Sequence, residues 1–394
     1  MPGPCWYDRP RRIRRGAALT LFLAGVLAAG AVTGTWDERA ADGAESAGRR
    51  PADAAALGRL AGERAAQAAA DGKSGAQAAG EVVSRSGDRW AAVYTPGEFA
   101  DFQDELAGAY VGVGLWVRQQ DGGVVTVCRV QPGGPAARAG ITAGDRLDAV
   151  GGRPVRGRPV TETVARLRGD GPGAGEGAAG SPVRLELRRG ARHWSVTLRR
   201  VRLHTPNVTV ERPAGAGPVR IRVAAFARGT GAAVRRAVRA ADVRHGLLLD
   251  LRGNTGGLVS EAVATASVFL DGGLVATYDV HGSQRALYAR GAGDTRTPLV
   301  VLVDGGTMSA AELLSGALQD RGRAVVVGTP TFGKGSVQMP RTLPDGSVAE
   351  LTVGHYRTPS GRAVDGAGIT PDVLAGERAE KRARTVLSGL GTGA

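Results

Sequence analysis

Short, continuous apolar runs alternate with helical spacing through the second half of the chain. Residues 245–251 (His-Gly-Leu-Leu-Leu-Asp-Leu), 299–303 and 324–327 are such runs, and each predicts a strand buried on both faces. Residues 258–269 and 310–319 carry helical patterns between them. Repeated βαβ units imply parallel strands with right-handed crossovers, and sheets of this kind present their functional loops at the strands' C-terminal ends. This α/β core is expected over residues 204–394.

A different rhythm fills residues 108–203. Short strands are predicted at 111–117, 124–130, 183–187 and 194–198, with short helices at 134–139 and 161–167. Together they predict a small β-rich domain, interrupted by a glycine-rich insertion at 169–180. Upstream, residues 37–107 read as a linker and helical region. Good helix formers occupy 54–70, and Thr95-Pro96 suits a helix start among the apolar anchors Trp90, Val93, Tyr94, Phe99, Phe102 and Leu106.

At the N-terminus, Arg9, Arg11, Arg12, Arg14 and Arg15 precede an uncharged stretch at 16–34. Residues 1–36 are therefore read as a signal or transmembrane segment with its N-terminal end in the cytoplasm. Ala29-Gly30-Ala31 resembles a cleavage site, but the length of the stretch favours a retained anchor. Either outcome predicts an extracytoplasmic protein, membrane-anchored or secreted.

The 394 residues carry a formal charge of +14, from 51 basic and 37 acidic side chains. The arginines are scattered and no basic-aromatic motif appears, so biased composition explains the charge and no nucleic-acid partner is expected. Cys5 and Cys128 do not make a disulfide framework. The five histidines fall in no motif and no metal-ligand spacing exists, so neither metal nor cofactor is expected.

Candidate chemistry gathers at three places. Ser309 stands between a predicted strand and a predicted helix, where unpaired N–H groups and the helix dipole favour negative charge. Ser309-Ala310-Ala311-Glu312 is also a capping-box sequence, and most such serines merely cap helices, so Ser309 alone reads first as a helix cap. Lys334, between Gly333 and Gly335, suits a turn entering a strand. Buried in an apolar place, its amine loses its proton more readily and becomes a base for a serine hydroxyl. In a strand, Lys334, Ser336 and Gln338 share a face, so Gln338 is positioned to orient the amine. Asp250-Leu251-Arg252-Gly253-Asn254-Thr255-Gly256-Gly257 ends the first buried strand. Its glycines allow backbone N–H groups to approach a substrate and supply an oxyanion donor alongside Ala310.

These three motifs, in this order, resemble the carboxyl-terminal processing (tail-specific) peptidases, serine endopeptidases with an embedded PDZ domain. Gly112-Val113-Gly114-Leu115 resembles the PDZ carboxylate-binding loop. Residues 135–145 and the later Gly366-Ala367-Gly368-Ile369-Thr370-Pro371-Asp372 resemble further family signatures. The resemblance spans about residues 90–373. It departs at Met308, where a smaller residue is usual, and at the 169–180 insertion. It implies a crotonase/ClpP-like core with an inserted PDZ domain. It makes Ser309 the nucleophile, Lys334 the general base and Gln338 its orienter, with oxyanion donors at Gly256 (or Gly257) and Ala310. Arg168 matches an arginine that couples the PDZ domain to the active site. The implied partners are polypeptides with free, apolar C-termini, and an oligomer is left open. A catalytically inactive peptide-binding scaffold and an acyl-transfer enzyme on a similar core are the alternatives; intact Ser309, Lys334 and Gln338 weigh against the first.

Overall fold

A computed structural model describes residues 54–169, 178–204, 206–213, 215, 217–280 and 283–391. The apolar stretch at 16–34 lies outside the described residues, and so does most of the glycine-rich insertion. Among the described residues no helix is long and apolar enough to cross a membrane. They divide into two units, one comprising 109–204 and the other 54–108 with 206–391.

The larger unit is organised by a six-stranded sheet. Its order is Val208–Glu211, Val219–Val223, Leu247–Asp250, Leu299–Val303, Val325–Gly328 and Val373–Leu374. All neighbours are parallel except the first pair. The apolar runs are continuous because both faces of this sheet are covered. Leu247, Leu249, Val301 and Val303 pack into the core formed with the helices Thr230–Arg239, Val259–Phe269 and Ala310–Asp320. Leu248, Val300, Leu302 and Val327 pack the other way, against Ala379, Ala383 and Leu387 of the helix Ala379–Gly391. Each such leucine or valine contributes about 1.5–3 kcal/mol by leaving water.

A second sheet runs Ala92–Tyr94, Val348–Arg357, Leu274–Val280 and Ser283–Tyr288, with Ser336–Thr342 also paired to Val348–Arg357. The helices Ala54–Ala70 and Gly75–Ser84 do not stand apart as a linker region. Leu57, Ala61, Ala65 and Val83 share a core with Ala349 and Leu351 of that sheet.

In the smaller unit, a sheet ordered Leu115–Gln119, Val125–Val130, Arg146–Val150, Pro182–Arg189 and Arg192–Arg199 encloses its own apolar core with the helix Val160–Arg168. The strand expected over 111–117 is two strands. Ala109–Gly112 pairs with Val201–His204, while Leu115–Gln119 joins the main sheet. The break falls at Val113-Gly114, where Gly114 takes a φ of 78°, a conformation that costs a residue with a Cβ far more than glycine.

Candidate active site

Three loops leave the C-terminal ends of adjacent parallel strands and meet there. They follow Leu247–Asp250, Leu299–Val303 and Val325–Gly328, and they carry the glycine motif, Ser309 and Lys334 respectively. Thr307 Oγ1 donates to the Leu251 carbonyl at 3.0 Å, and the Met308 N–H donates to the Asn254 carbonyl at 2.8 Å. The Phe332 N–H donates to the Thr307 carbonyl at 3.0 Å, so all three loops are tied together.

Ser309 caps the helix Ala310–Asp320 and is, among the described residues, the one non-glycine with positive φ, at 53°. A side chain in that region stores about 1–2 kcal/mol of strain. Strain of this kind is tolerated where the surroundings enforce it, and here they do. Ser309→Gly is expected to abolish peptide hydrolysis while leaving stability unchanged or raised by up to about 1 kcal/mol, since relieved strain exceeds glycine's entropic cost. If Ser309 served only as a cap, the same change would leave activity intact. Urea melts and peptide hydrolysis on one preparation decide between these.

Glu312, fully buried, is the hub of the site. Its Oε2 accepts from the Ser309 N–H at 2.8 Å and the Lys334 N–H at 2.9 Å. Its Oε1 accepts from Thr331 Oγ1 at 2.5 Å and the Gly333 N–H at 2.7 Å. Burial holds its carboxyl above the usual range, although the four donors pull it down. Tyr356 adds a second clamp: its hydroxyl donates to the Ser309 carbonyl at 2.8 Å and lies 3.0 Å from the Lys334 carbonyl. Burial raises the Tyr356 pKa well above its ordinary value, so the hydroxyl keeps its proton and stays a donor.

Lys334 is mostly buried, and desolvation lowers its pKa despite the opposing charges of Glu350, Asp88 and Glu312. The flanking glycines are required by the segment 365–368 passing beside them. A Cβ on Gly335 would lie 2.3 Å from the Asp365 nitrogen, and one on Gly333 3.1 Å from the Gly366 carbonyl carbon. This is why the later glycine-rich signature accompanies the lysine motif.

The amine of Lys334 and the hydroxyl of Ser309 are not hydrogen-bonded to each other, although their backbones share Glu312 and Tyr356. Nor does Gln338 reach the amine. The strand begins at Ser336, and a bulge between Val337 and Gln338 interrupts the alternation that would align Gln338 with Lys334. Gln338 Nε2 instead donates to Ser336 Oγ at 2.8 Å and Thr352 Oγ1 at 3.4 Å.

The two glycines of the first motif differ. A Cβ on Gly256 would lie 2.9 Å from the Ser309 Cβ, so this loop presses directly on the serine. However, the Gly256 N–H donates to Asn254 Oδ1 at 2.9 Å and is thereby engaged. No acceptor for the Gly257 or Ala310 N–H is found among the described residues. Asn254 is fully buried and its Nδ2 donates to the Val223 carbonyl at 2.9 Å, fixing the loop further. Upstream, Arg252 grips the buried Asp250 with two bonds of 2.8 and 2.6 Å.

In the smaller unit, the Gly112-Val113-Gly114-Leu115 loop leads into Leu115–Gln119, which is an edge strand. The Val113 carbonyl accepts from Ala136 and the Gly114 carbonyl from Gln131. Arg168 lies 5.8 Å from the Tyr110 ring.

Sequence reasoning missed Glu312 as anything but a capping partner and missed Tyr356 altogether; Asn254 it read within the glycine motif as a local turn former, without its bond to Val223. The bonds that define the first two join residues far apart in the chain, which local spacing does not show.

The chain matches the family model described as Peptidase family S41 over residues 219–375, and that of the PDZ domain over 126–189. It is 32% identical over 287 residues to a carboxy-terminal-processing protease of Bartonella bacilliformis, covering 70% of this chain and 63% of the relative. It is 36% identical to the chloroplastic C-terminal processing peptidase of Tetradesmus obliquus, covering 73% and 64%. The chain thus spans about three-fifths of the length of these relatives. With the solved photosystem II D1 C-terminal processing protease it shares 32% identity over 77% of this chain and 82% of that one, at a TM-score of 0.48. A solved S41-type structure from Bacteroides fragilis, 17% identical, aligns with a TM-score of 0.51 and supports the fold alone. The chain belongs to the S41 peptidase family, the carboxyl-terminal processing proteases, and it carries a PDZ domain.

Proposed function

We propose that this protein is a serine endopeptidase that cleaves polypeptides selected by their C-termini, using Ser309, Lys334 and Gln338 on a crotonase/ClpP-like core. The observation that supports this reading is the Glu312 carboxylate, which binds the backbone N–H groups of both Ser309 and Lys334 and so ties the backbone of the serine to that of a partly desolvated lysine.

Neutral Lys334 takes the Ser309 hydroxyl proton as Oγ attacks the scissile carbonyl carbon. The oxyanion accepts from the N–H groups of Gly257 and Ala310. The Lys334 ammonium then returns its proton to the departing amine, and water resolves the acyl-enzyme by the same route in reverse. Because Nε2 of Gln338 is spent on Ser336 and Thr352, its Oε1 is the atom left to orient the amine. Closing the remaining gap between amine and hydroxyl is a step that substrate binding drives.

The PDZ loop 112–115 takes the terminal carboxylate of a substrate that ends in an apolar residue, while the tail adds as a strand beside Leu115–Gln119. Arg168 is the proposed coupling residue between tail binding and catalysis. The arginines and uncharged stretch of residues 9–34 support a catalytic region outside the cytoplasm, anchored or secreted.

The test compares one substrate as free acid and as C-terminal amide. The free acid is expected to be cleaved about ten-fold faster or more, since the amide loses its charged contact to the loop. Equal rates would remove the tail-recognition part of the proposal. Binding without cleavage, with no labelling of Ser309 by a serine-reactive probe, would leave only a peptide-binding scaffold.

A further inference from the structure

The turn between the helix Gly75–Ser84 and the strand Ala92–Tyr94 belongs to the base's surroundings, though nothing in the three motifs includes it. Asp88 organises this turn. Its Oδ1 accepts from the Trp90 N–H at 3.1 Å and the Ala91 N–H at 3.2 Å. The same carboxylate accepts from Thr352 Oγ1 at 2.8 Å and the Thr352 N–H at 2.9 Å. Thr352 in turn receives Gln338 Nε2. The turn is therefore bolted to the strand opposite Gln338, and it delivers the Trp90 indole to Lys334. Lys334 Nζ lies 5.1 Å from the ring centroid, and the ring also packs on Phe332, 5.7 Å between centroids.

Trp90 Nε1 is buried with no hydrogen-bond partner among the described residues. A tryptophan serving only to fill space incurs that desolvation cost needlessly, since leucine or phenylalanine fills space without it. What indole supplies beyond volume is the most electron-rich π face of any side chain, which attracts a cation.

We infer that Trp90 is a positioning residue for the Lys334 amine, holding over its indole the ammonium that forms when Ser309 gives up its proton. The inference rests on Lys334 being the base. In the step concerned, the Ser309 Oγ–H bond breaks, an Nζ–H bond forms and a positive charge appears on Nζ. A π face beside Nζ stabilises that charge and restricts the long side chain to one direction. The charged groups that also face the amine are Glu350 from the strand Val348–Arg357, Asp88 from the turn and Glu312 from the Ser309 helix. Arg89 shares the ring, 4.8 Å from its centroid, and pairs with Asp365.

The experiment measures kcat and KM against pH for the full chain and its Trp90→Leu, Trp90→Phe, Arg89→Gln and Lys334→Ala variants. Trp90→Leu is expected to lower kcat about ten-fold with KM unchanged, and to move the acid limb of kcat/KM to lower pH because the ammonium loses its partner. Trp90→Phe keeps a π face and the contact to Phe332. It is expected to recover most of kcat, with a smaller shift of the limb in the same direction. Arg89→Gln should behave as wild type. Where Trp90→Leu does not fold, the limb in folded Trp90→Phe decides, and an unmoved limb there overturns the inference. It is equally overturned if Trp90→Leu keeps wild-type kcat and limb, or if Arg89→Gln reproduces the Trp90→Leu effect. Activity retained in Lys334→Ala overturns the reading beneath it. An inactive Lys334→Ala with unaffected Trp90 variants overturns this inference alone.

Discussion

Glu312→Gln is expected to reduce kcat by about a hundred-fold or more, and to destabilise the protein by about 1–6 kcal/mol. The carboxylate accepts from four donors, two on each oxygen, and no water is needed to satisfy them. A glutamine has one acceptor oxygen, and its NH2 group must face two of those donors. With the NH2 towards Ser309 and Lys334 two N–H donors are orphaned, and towards Thr331 and Gly333 only one is, because the Thr331 hydroxyl can turn to accept; each orphaned donor costs about 1–3 kcal/mol. If the NH2 faces Ser309 and Lys334, the two loops lose the bridge that sets their separation. A misplacement of about 1 Å at reacting groups is enough for a hundred-fold loss. Binding of a free-acid tail peptide is expected to be unaffected, because the loop at 112–115, proposed to take the carboxylate, lies in the other unit. Wild-type kcat in a normally stable Glu312→Gln protein would show that the bridge is ornamental.

How much of this was legible in the chain differs between core and site. The parallel strands were readable because their sheet is covered on both faces. Leu247 and Leu249 face one core while Leu248 faces the other, so no polar residue breaks the run. Ser309 and Lys334 stood out for a related reason. Their unusual settings are local, a helix start and a lysine between glycines, and local chemistry is what spacing records. The partners of both residues were hidden. Glu312 stands three residues from Ser309, which local rules read as capping, whereas its other bonds reach Thr331, Gly333 and Lys334. Asp88 and Thr352 meet across 264 positions. Alternation also fails without warning where the backbone departs from it, as at Gly114 and at the bulge before Gln338. Tertiary hydrogen bonding decides those points, and no pattern along the chain encodes it.

Lys334→Met is expected to be inactive and yet more stable than the wild type at neutral pH. Burial disfavours the ammonium, and this outweighs the attraction of Glu350, Asp88 and Glu312, so the folded-state pKa lies below that of free lysine. The sign of the linkage follows. Below the folded pKa both states hold the proton, and the folded state carries the full desolvation penalty. As pH rises from the folded to the unfolded pKa, the folded state sheds its proton first, and stability increases. Each unit of depression corresponds to about 1.4 kcal/mol of penalty at low pH. Methionine fills a similar volume without charge, so urea melts should place Lys334→Met above the wild type at pH 7, with the gap narrowing towards the unfolded lysine pKa. Lys334→Arg, by contrast, keeps the charge and the penalty, since guanidinium does not deprotonate in this range. It should be at least as unstable as the wild type at neutral pH, and its hydrolysis should fall by about a thousand-fold or more at every pH, because no neutral base is ever present. A Lys334→Met protein less stable than the wild type at pH 7 would mean that the amine is held by its carboxylate neighbours rather than deprived of water. Lys334 would then be a structural cation, and the base would have to be sought elsewhere in the site.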